Sequence, residues 1–364
     1  MAFADTRRGR ELRIDAGEVT GALGDSVTVL PIVVALGALT PASLPHVLLL
    51  FGVFQVIWGV VYGLPLSVEP MKALAGLAIA GSLGYSELVA AGLLAGAALL
   101  VAGRTGAIGR VERFVGEPVV RGVQLAVALL LAASGVELAL SAPALAGGAL
   151  ALAVAAVAVG FARASALAIL GLGGVLAASA TGVPTPTVPA ATLFPSGAPE
   201  LTVGAAEGAV AQLAMTVGNA AVATALLCSD LFDADVRADD LAASMGAMCL
   251  AAVPLGGLPM CHGSGGLAGK YAFGARTGGA NLVLGALYVL AALVAGLVLA
   301  FPAAVLGVLL GIVALQLGRS AARTKSPALT VGIGVVGFLS NVGAAFALGV
   351  AASWLLRRRR DSDL

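Results

Sequence analysis

Two stretches of the chain open alike and then carry different chemistry. Residues 63 to 76 read GLPLSVEPMKALAG, and residues 257 to 270 read GLPMCHGSGGLAGK. The first places Ser67, Glu69 and Lys72 within six residues, and the second places His262 ahead of Gly263, Ser264, Gly265 and Gly266. A lysine, a hydroxyl and glycines that expose successive backbone N–H groups suit the binding of an anion. Glu69 and His262 are the groups in these stretches that can carry a proton. Catalysis finds no support, since no nucleophile and base stand together. Cys228, Cys249 and Cys261 are scattered in apolar context, so neither a metal site nor a disulfide framework is expected, and no cofactor. The glycine run also lacks the lysine and hydroxyl ending of a nucleotide loop.

The elements that position these residues must lie in a membrane. Of 364 residues, 60% are hydrophobic and 11% charged, and the mean hydropathy is +1.04. That is more apolar surface than polar groups could cover in water. The 50 glycines suit helices whose backbones approach closely. A net charge of +1 supplies no basic groove for nucleic acid. The first dozen residues contain no apolar stretch, so no cleavable signal peptide is expected.

Hydropathy with Gly and Pro breaks predicts fourteen segments, near 16–38, 46–62, 66–80, 87–103, 117–140, 143–161, 164–181, 203–228, 241–256, 262–275, 280–300, 302–318, 325–339 and 340–356. The third and tenth are too short to cross and each follows a proline-bearing extended stretch. They are expected as half-helices preceded by a short strand. With the N-terminus inside, one face receives Arg7, Arg8, Arg10, Arg13, Arg104, Arg110, Arg113, Arg163, Arg237, Arg276, Arg319, Arg323, Lys325 and Arg357 to Arg360, while the loops near 39–45, 141–142 and 182–202 contain no Lys or Arg. The positive-inside rule then makes both termini cytoplasmic in a multi-pass protein of the cell membrane. A twelve-span variant that merges the short elements keeps the same parity.

Sliding the chain along itself aligns Gly24-Asp25 with Gly218-Asn219 and Gly63-Leu64-Pro65 with Gly257-Leu258-Pro259, both at an offset of 194 residues. That offset spans seven segments, an odd number, so the second copy is inverted relative to the first. The expected organisation is a tail at 1–15, a seven-span repeat at 16–181, an extracellular linker at 182–202, a second repeat at 203–356 and a tail at 357–364. The two opening stretches become two halves of one site at the bilayer midplane. Each half-helix N-terminus carries roughly half a positive charge and unpaired N–H groups.

The stretches GALGDSVTVLP (21–31), VEPMKALAG (68–76), AQLAMTVGNAAVAT (211–224) and PMCHGSGGLAGKYAFGARTG (259–278) resemble the signature stretches of the plant and prokaryotic molybdate transporter family, which is related to the sulfate permeases. The resemblance covers both repeats. It implies the fold of uracil permeases and sulfate permeases: an all-α polytopic protein of about fourteen spans, as seven-plus-seven inverted repeats divided into core and gate domains. It also implies uptake of molybdate, with sulfate as the related substrate. The family pattern has Gln where this chain has Glu69.

The residues leave several roles open. Lys72 is read as the only Lys or Arg near mid-membrane. It either attracts a dianion, with Ser67 and nearby N–H groups completing the cradle, or is an internal ion-pair partner of Glu69. A carboxylate beside a dianion suggests that Glu69 takes a proton when substrate binds, so that a proton is co-transported; a constant salt bridge to Lys72 is the alternative. His262 either contacts substrate, carries protons or is a structural imidazole. Gln212, Thr216 and Asn219 are expected to donate to the oxyanion, with Asp25 as a support or ion ligand and Thr28 as a support; interhelical hydrogen bonds are the alternative. Lys270, Tyr271 and Arg276 read as end-of-helix snorkelling, Glu137 and Glu207 have no evident partner, and the acidic loop 229–240 reads as a solvated connector. A nucleobase:proton symporter of the same fold and an anion channel are the rival readings. Molybdate, sulfate and tungstate differ too little in charge to be separated here, and a homodimer is left open.

Overall fold

The structure is a computed structural model that describes residues 11–161 and 165–362, except for the side chains at 27, 28, 357 and 359–362. Arg7, Arg8, Arg10 and Arg163, used above for orientation, lie outside the described residues, as do the side chains of Thr28, Arg357, Arg359 and Arg360.

In the first half, α1 (Ala16–Leu39) and α2 (Leu44–Tyr62) are followed by β1 (Glu69–Pro70), α3 (Lys72–Ile79), α4 (Tyr85–Arg104), the short α5 (Ile108–Val115), α6 (Glu117–Leu140), α7 (Pro143–Ala158) and α8 (Ser165–Thr181). The second half contains α9 (Val203–Met215), a π-helical turn (Thr216–Val222), α10 (Ala223–Phe232), α11 (Ala238–Ala252), β2 (Met260–Cys261), α12 (Ser264–Ala272), α13 (Gly279–Leu293), α14 (Ala295–Leu299), α15 (Ala303–Ala321), α16 (Pro327–Leu339) and α17 (Val342–Ser362). Each of the fourteen expected segments contains a helix. Among the described residues, six helices are long and apolar enough to cross a membrane, with Val203–Phe232 and Ala238–Leu255 each taken as one, or seven with the two parts of α1 taken together.

Helix ends follow local chemistry. Asp15 caps α1 through a hydrogen bond from the Glu18 N–H (3.0 Å), and Thr202 caps α9 by accepting from the Ala205 N–H (3.0 Å). Gly63 ends α2 in the left-handed region, at φ 65°, which glycine adopts without a Cβ penalty. Pro65 follows and cannot continue a helix.

Contacts between elements reveal the inverted repeat. Helix α2 packs on α13 and α4 on α11, and these pairs exchange under the repeat, as do α1 with α12 and α9 with α3. Helices α1–α4 with α9–α13 form the core domain, and α6–α8 with α15–α17 form the gate. The crossings close at glycines: a Cβ on Gly52 would stand 2.7 Å from the Gly285 oxygen, and one on Gly135 would stand 2.8 Å from the Gly307 oxygen. In lipid such close backbone approach replaces the hydrophobic drive. We expect Gly135→Leu, which overfills the α6–α15 crossing, to destabilise the protein by about 1–3 kcal/mol, read as a lowered thermal midpoint in detergent. A variant that melts with wild type would remove this crossing from the packing argument.

The two broken segments meet. Strands β1 and β2 pair antiparallel, Glu69 with Cys261 and Pro70 with Met260, and the Met71 N–H donates to the Pro259 oxygen at 2.8 Å. Backbone that is not helical at this depth must be satisfied inside the protein, and each interrupted segment satisfies the other. Helix α3 starts seven residues after Pro65 and α12 five after Pro259, so the offset of 194 falls to 192 across the break.

Two surface readings change. Glu207 has a partner: its carboxylate accepts from the Asn341 amide at 2.7 Å, joining α9 to α17. The loop 229–240 is anchored rather than merely solvated, because Arg237 forks onto Asp240 (2.9 and 2.7 Å) and the Asp239 carboxylate accepts from the Ile108 N–H at 3.2 Å. Asp240 also holds the Arg237 guanidinium above its ordinary value.

Candidate functional site: two half-helix N-termini at one cavity

Helices α3 and α12 direct their N-terminal ends to one place because β1 and β2, which precede them, are paired. A small cavity of about 20 Å³ between them is lined by Glu69, Lys72, Gln212, Thr216, Asn219 and the glycine run with Ser264. Through Lys72, Asn219, Ser264 and Gly265 it continues into a cavity of about 740 Å³ that reaches Phe273 and Arg319. At the opposite end, a separate cavity of about 280 Å³ holds Glu207 and Asn341 and shares no lining residue with these two.

Glu69 occupies the centre. Its carboxylate is buried, pairs with the Lys72 ammonium and accepts from the Gly266 N–H at 2.8 Å. Gly263 and Gly266 wall it in, since a Cβ on either would overlap the carboxylate. The anion seat at the start of α12 is thus filled by the protein's own carboxylate, held there by the partial positive charge of the helix end. Of the two roles open for Lys72 in the sequence, the ion pair is the one seen in this arrangement.

Gln212 plays the corresponding part at α3. Its Oε1 accepts from the N–H groups of Ala73 (2.9 Å) and Leu74 (3.3 Å), and its Nε2 donates to Thr216 Oγ1 at 2.8 Å. Backbone N–H groups only donate, so this amide orientation is forced. Gln212 therefore commits its oxygen and one of its two amide hydrogens to the protein, while the residue still lines the small cavity. Thr216 gains from this: its oxygen already accepts, which leaves its hydroxyl hydrogen to donate into the cavity. Asn219 is arranged similarly, with Oδ1 accepting from Ser264 Oγ at 3.3 Å and the amide nitrogen left to donate. The π-helical turn that carries Thr216 and Asn219 has no signal in the hydropathy pattern.

Other expected site residues sit behind this cavity. His262 is fully buried between Trp58 and Tyr62, whose rings meet it edge-on at 5.8 and 5.9 Å. Its Nδ1 donates to the Ser67 oxygen (3.0 Å) and its Nε2 meets Ser244 Oγ (2.9 Å), so both nitrogens are engaged and the ring lines neither cavity. Ser67 is buried beside Asp25 and Gly266, outside both linings.

Lys72 is not the only basic residue at depth. Lys270, expected to snorkel at a helix end, is fully buried, with its ammonium 3.1 Å from Asp25 Oδ2, 3.1 Å from Gln55 Oε1 and 2.7 Å from Asn281 Oδ1. A short half-helix explains the difference, because its C-terminal turn lies inside the core domain and not at the lipid surface. The network also holds the broken backbone, as the Lys270 ammonium reaches the Leu66 oxygen (3.4 Å), the Asn281 amide donates to that oxygen, and Gln55 donates to the Val68 oxygen (3.2 Å). Arg276 does stay near the end, stacked over Tyr271 at 3.9 Å. Buried Glu18, missed in the sequence, accepts from the N–H groups of Arg276 (3.0 Å), Thr277 (2.8 Å) and Ala280 (3.0 Å), fastening α1 to the turn before α13. Polar residues such as Gln55 inside an apolar run were the available signal for this network.

A family profile described as "Molybdate transporter of MFS superfamily" matches residues 17–131 and 204–317, one stretch in each half. Molybdate transporter 1 of Arabidopsis thaliana is 31% identical over 338 residues, which are 78% of this chain and 73% of that protein. Molybdate transporter 2 of the same plant is 29% identical over 346 residues, 78% of this chain and 74% of that protein. Among solved structures, the transmembrane domain of a cyanobacterium bicarbonate transporter, BicA, aligns with a TM-score of 0.65 at 16% identity and covers 92% of this chain and 96% of that one. At that identity the likeness is one of fold, the inverted-repeat transporter fold with two facing half-helices. With both halves matched by the profile and most of each plant protein spanned, the chain belongs to the molybdate transporter family of membrane transporters.

Proposed function

We propose that the protein takes up a tetrahedral oxyanion, molybdate first and sulfate second, by secondary transport across the cell membrane with both termini cytoplasmic. The observation that carries this reading is the meeting of two half-helix N-termini, the Lys72 ammonium and the Thr216 and Asn219 donors at one buried cavity. Donors and partial positive charge, with no aromatic ring among the described residues lining the small cavity, favour a compact anion over a nucleobase there. The plant relatives named for molybdate support the choice of oxyanion.

The wide cavity leads toward Arg319, which the orientation argument places on the cytoplasmic side, and Glu207 with Asn341 joins core to gate at the other end. This supports an arrangement open inward. Sliding of core against gate would then expose the cavity to each side in turn. Uptake of radiolabelled molybdate into proteoliposomes, with sulfate and uracil as competitors, tests the reading. Saturable uptake blocked by unlabelled molybdate is expected; competition by uracil alone, or flux that grows without saturation, would overturn it.

In the same reading, a proton is co-transported on Glu69. The arriving dianion takes over Lys72, and the displaced carboxylate is neutralised by a proton, since two anions sharing one ammonium in a weakly solvated site repel. Glu69→Gln is therefore expected to keep uptake while losing its stimulation by an inward proton gradient. Proton-driven uptake that persists undiminished in the variant would exclude Glu69 as the carrier.

A further inference from the structure

The core domain supplies every oxyanion contact considered so far, yet the cavity has a gate-side wall. One residue on it is chemically unfinished. Gln124 on α6 is fully buried and lines the wide cavity together with Lys72, Asn219 and Ser264. Its Oε1 accepts from Arg121 Nη1 at 3.0 Å, and Arg121 is held in turn by the Glu117 carboxylate, 3.2 Å from its Nε. A guanidinium only donates, so the oxygen of the Gln124 amide must face Arg121 and the NH₂ must face away. That nitrogen is buried and has no hydrogen-bond partner among the described residues. Buried donors left unmade are rare and costly, and one of the standard explanations is a ligand.

Packing shows where the free amide points. Val120, Gln124 and Val127 follow the i, i+4, i+7 spacing and share one face of α6. Val120 lies against Gly218, where a Cβ would stand 3.3 Å from it, and Val127 lies against Gly76, where a Cβ would stand 2.7 Å from it. Gly218 precedes Asn219, and Gly76 is one turn beyond Lys72 on α3. Gln124 lies between the two contacts and faces the gap bounded by Lys72 and Asn219.

We propose that Gln124 is the gate-domain ligand of the transported oxyanion, donating through its amide nitrogen to an anion held by the two half-helices, with Arg121 as the residue that fixes the amide's orientation. This rests on the oxyanion reading of the site. The contact joins gate to substrate, so it exists only while α6 packs against Gly76 and Gly218, and movement of the core past the gate breaks it. Affinity is thereby coupled to conformation, which is what a carrier must achieve to release its cargo.

The test is equilibrium binding of molybdate, and separately of sulfate, to the purified full-length protein and two variants. Gln124→Met keeps the shape and removes the donor. Gln124→Glu keeps the shape, replaces the donor with an acceptor and retains a strong partner for Arg121, so it folds even if the first variant does not. We expect Kd to rise about tenfold in Gln124→Met and at least about 100-fold in Gln124→Glu, in line with loss or reversal of a hydrogen bond to a charged group. Elution profile and thermal midpoint should stay those of the wild type, which a purely structural role would not allow. Variants that bind within twofold of wild type overturn the gate-side ligand alone. Wild-type protein that binds neither oxyanion overturns both this inference and the oxyanion reading.

Discussion

Lys72→Met is expected to lower kcat/KM for oxyanion uptake by at least about 100-fold, which corresponds to roughly 2.7 kcal/mol of lost binding to the transported anion. Two effects act in one direction. The substitution removes the ammonium that lines the cavity, and a charge-assisted hydrogen bond of this kind contributes about 1.5–3 kcal/mol. It also strands the Glu69 carboxylate, which is buried and among the described residues otherwise keeps the Gly266 N–H and the end of α12. The second effect alone would make a folding defect look like a transport defect. The double variant Lys72→Met/Glu69→Gln separates them, because it removes both charges together and restores the neutrality of the pair. We expect it to recover the thermal midpoint of the wild type while uptake stays lost. Uptake by the double variant at the wild-type KM would show that Lys72 only fastens the half-helix, and the anion site would have to be sought elsewhere.

Lys270→Met is expected to prevent accumulation of folded protein. Lys270 and Asp25 are both fully buried, and breaking a buried pair by removing one partner costs about 3–5 kcal/mol. That is a large part of a typical folding stability of roughly 5–15 kcal/mol. The loss extends beyond the pair, as Gln55 and Asn281 lose their shared donor and the Leu66 oxygen loses one of its two. Asp25→Asn alone should be nearly as damaging, since it leaves the ammonium uncompensated. Combining Lys270→Met with Asp25→Asn removes the net buried charge, and we expect a monodisperse elution peak in detergent to return in good part. A lysine that snorkels to the lipid interface would tolerate Lys270→Met without consequence, so normal yield and melting of the single variant would refute the buried network.

The amino-acid order was sufficient for the large features. Runs such as 44–62 and 117–140 are helices because nothing else lets so apolar a backbone satisfy its hydrogen bonds in lipid. Pro65 and Pro259 end regular structure wherever they occur, so two short helices after two extended stretches could be read directly. The repeated Gly-Leu-Pro pointed to the partnership of the two breaks, and the strand pairing of Glu69 with Cys261 realises it. Lys72, Thr216, Asn219, Gly263, Ser264 and Gly265 could be singled out because polar or glycine-rich positions stand out in an apolar chain, and they do meet at one cavity.

Partnerships between distant residues were not available from the same reading. Hydropathy assigns each residue a depth, but which charges meet depends on how helices rotate about their axes, and packing of far segments sets that rotation. Lys270 looked like an interfacial residue until α1, α2 and α13 were seen to close around it. Gln212 could be singled out as a polar residue in an apolar run, but that its oxygen secures the start of α3 was visible only once the two halves had packed. Glu69, Lys72 and Gly266 are parts of one electrostatic unit only because the inverted halves bring α12 up to β1. Periodicity and breaker residues act within a few residues of themselves and survive in any fold. Ion pairs, orphaned donors such as the Gln124 amide and the shape of a cavity exist only between segments, and they arise when the whole chain has packed.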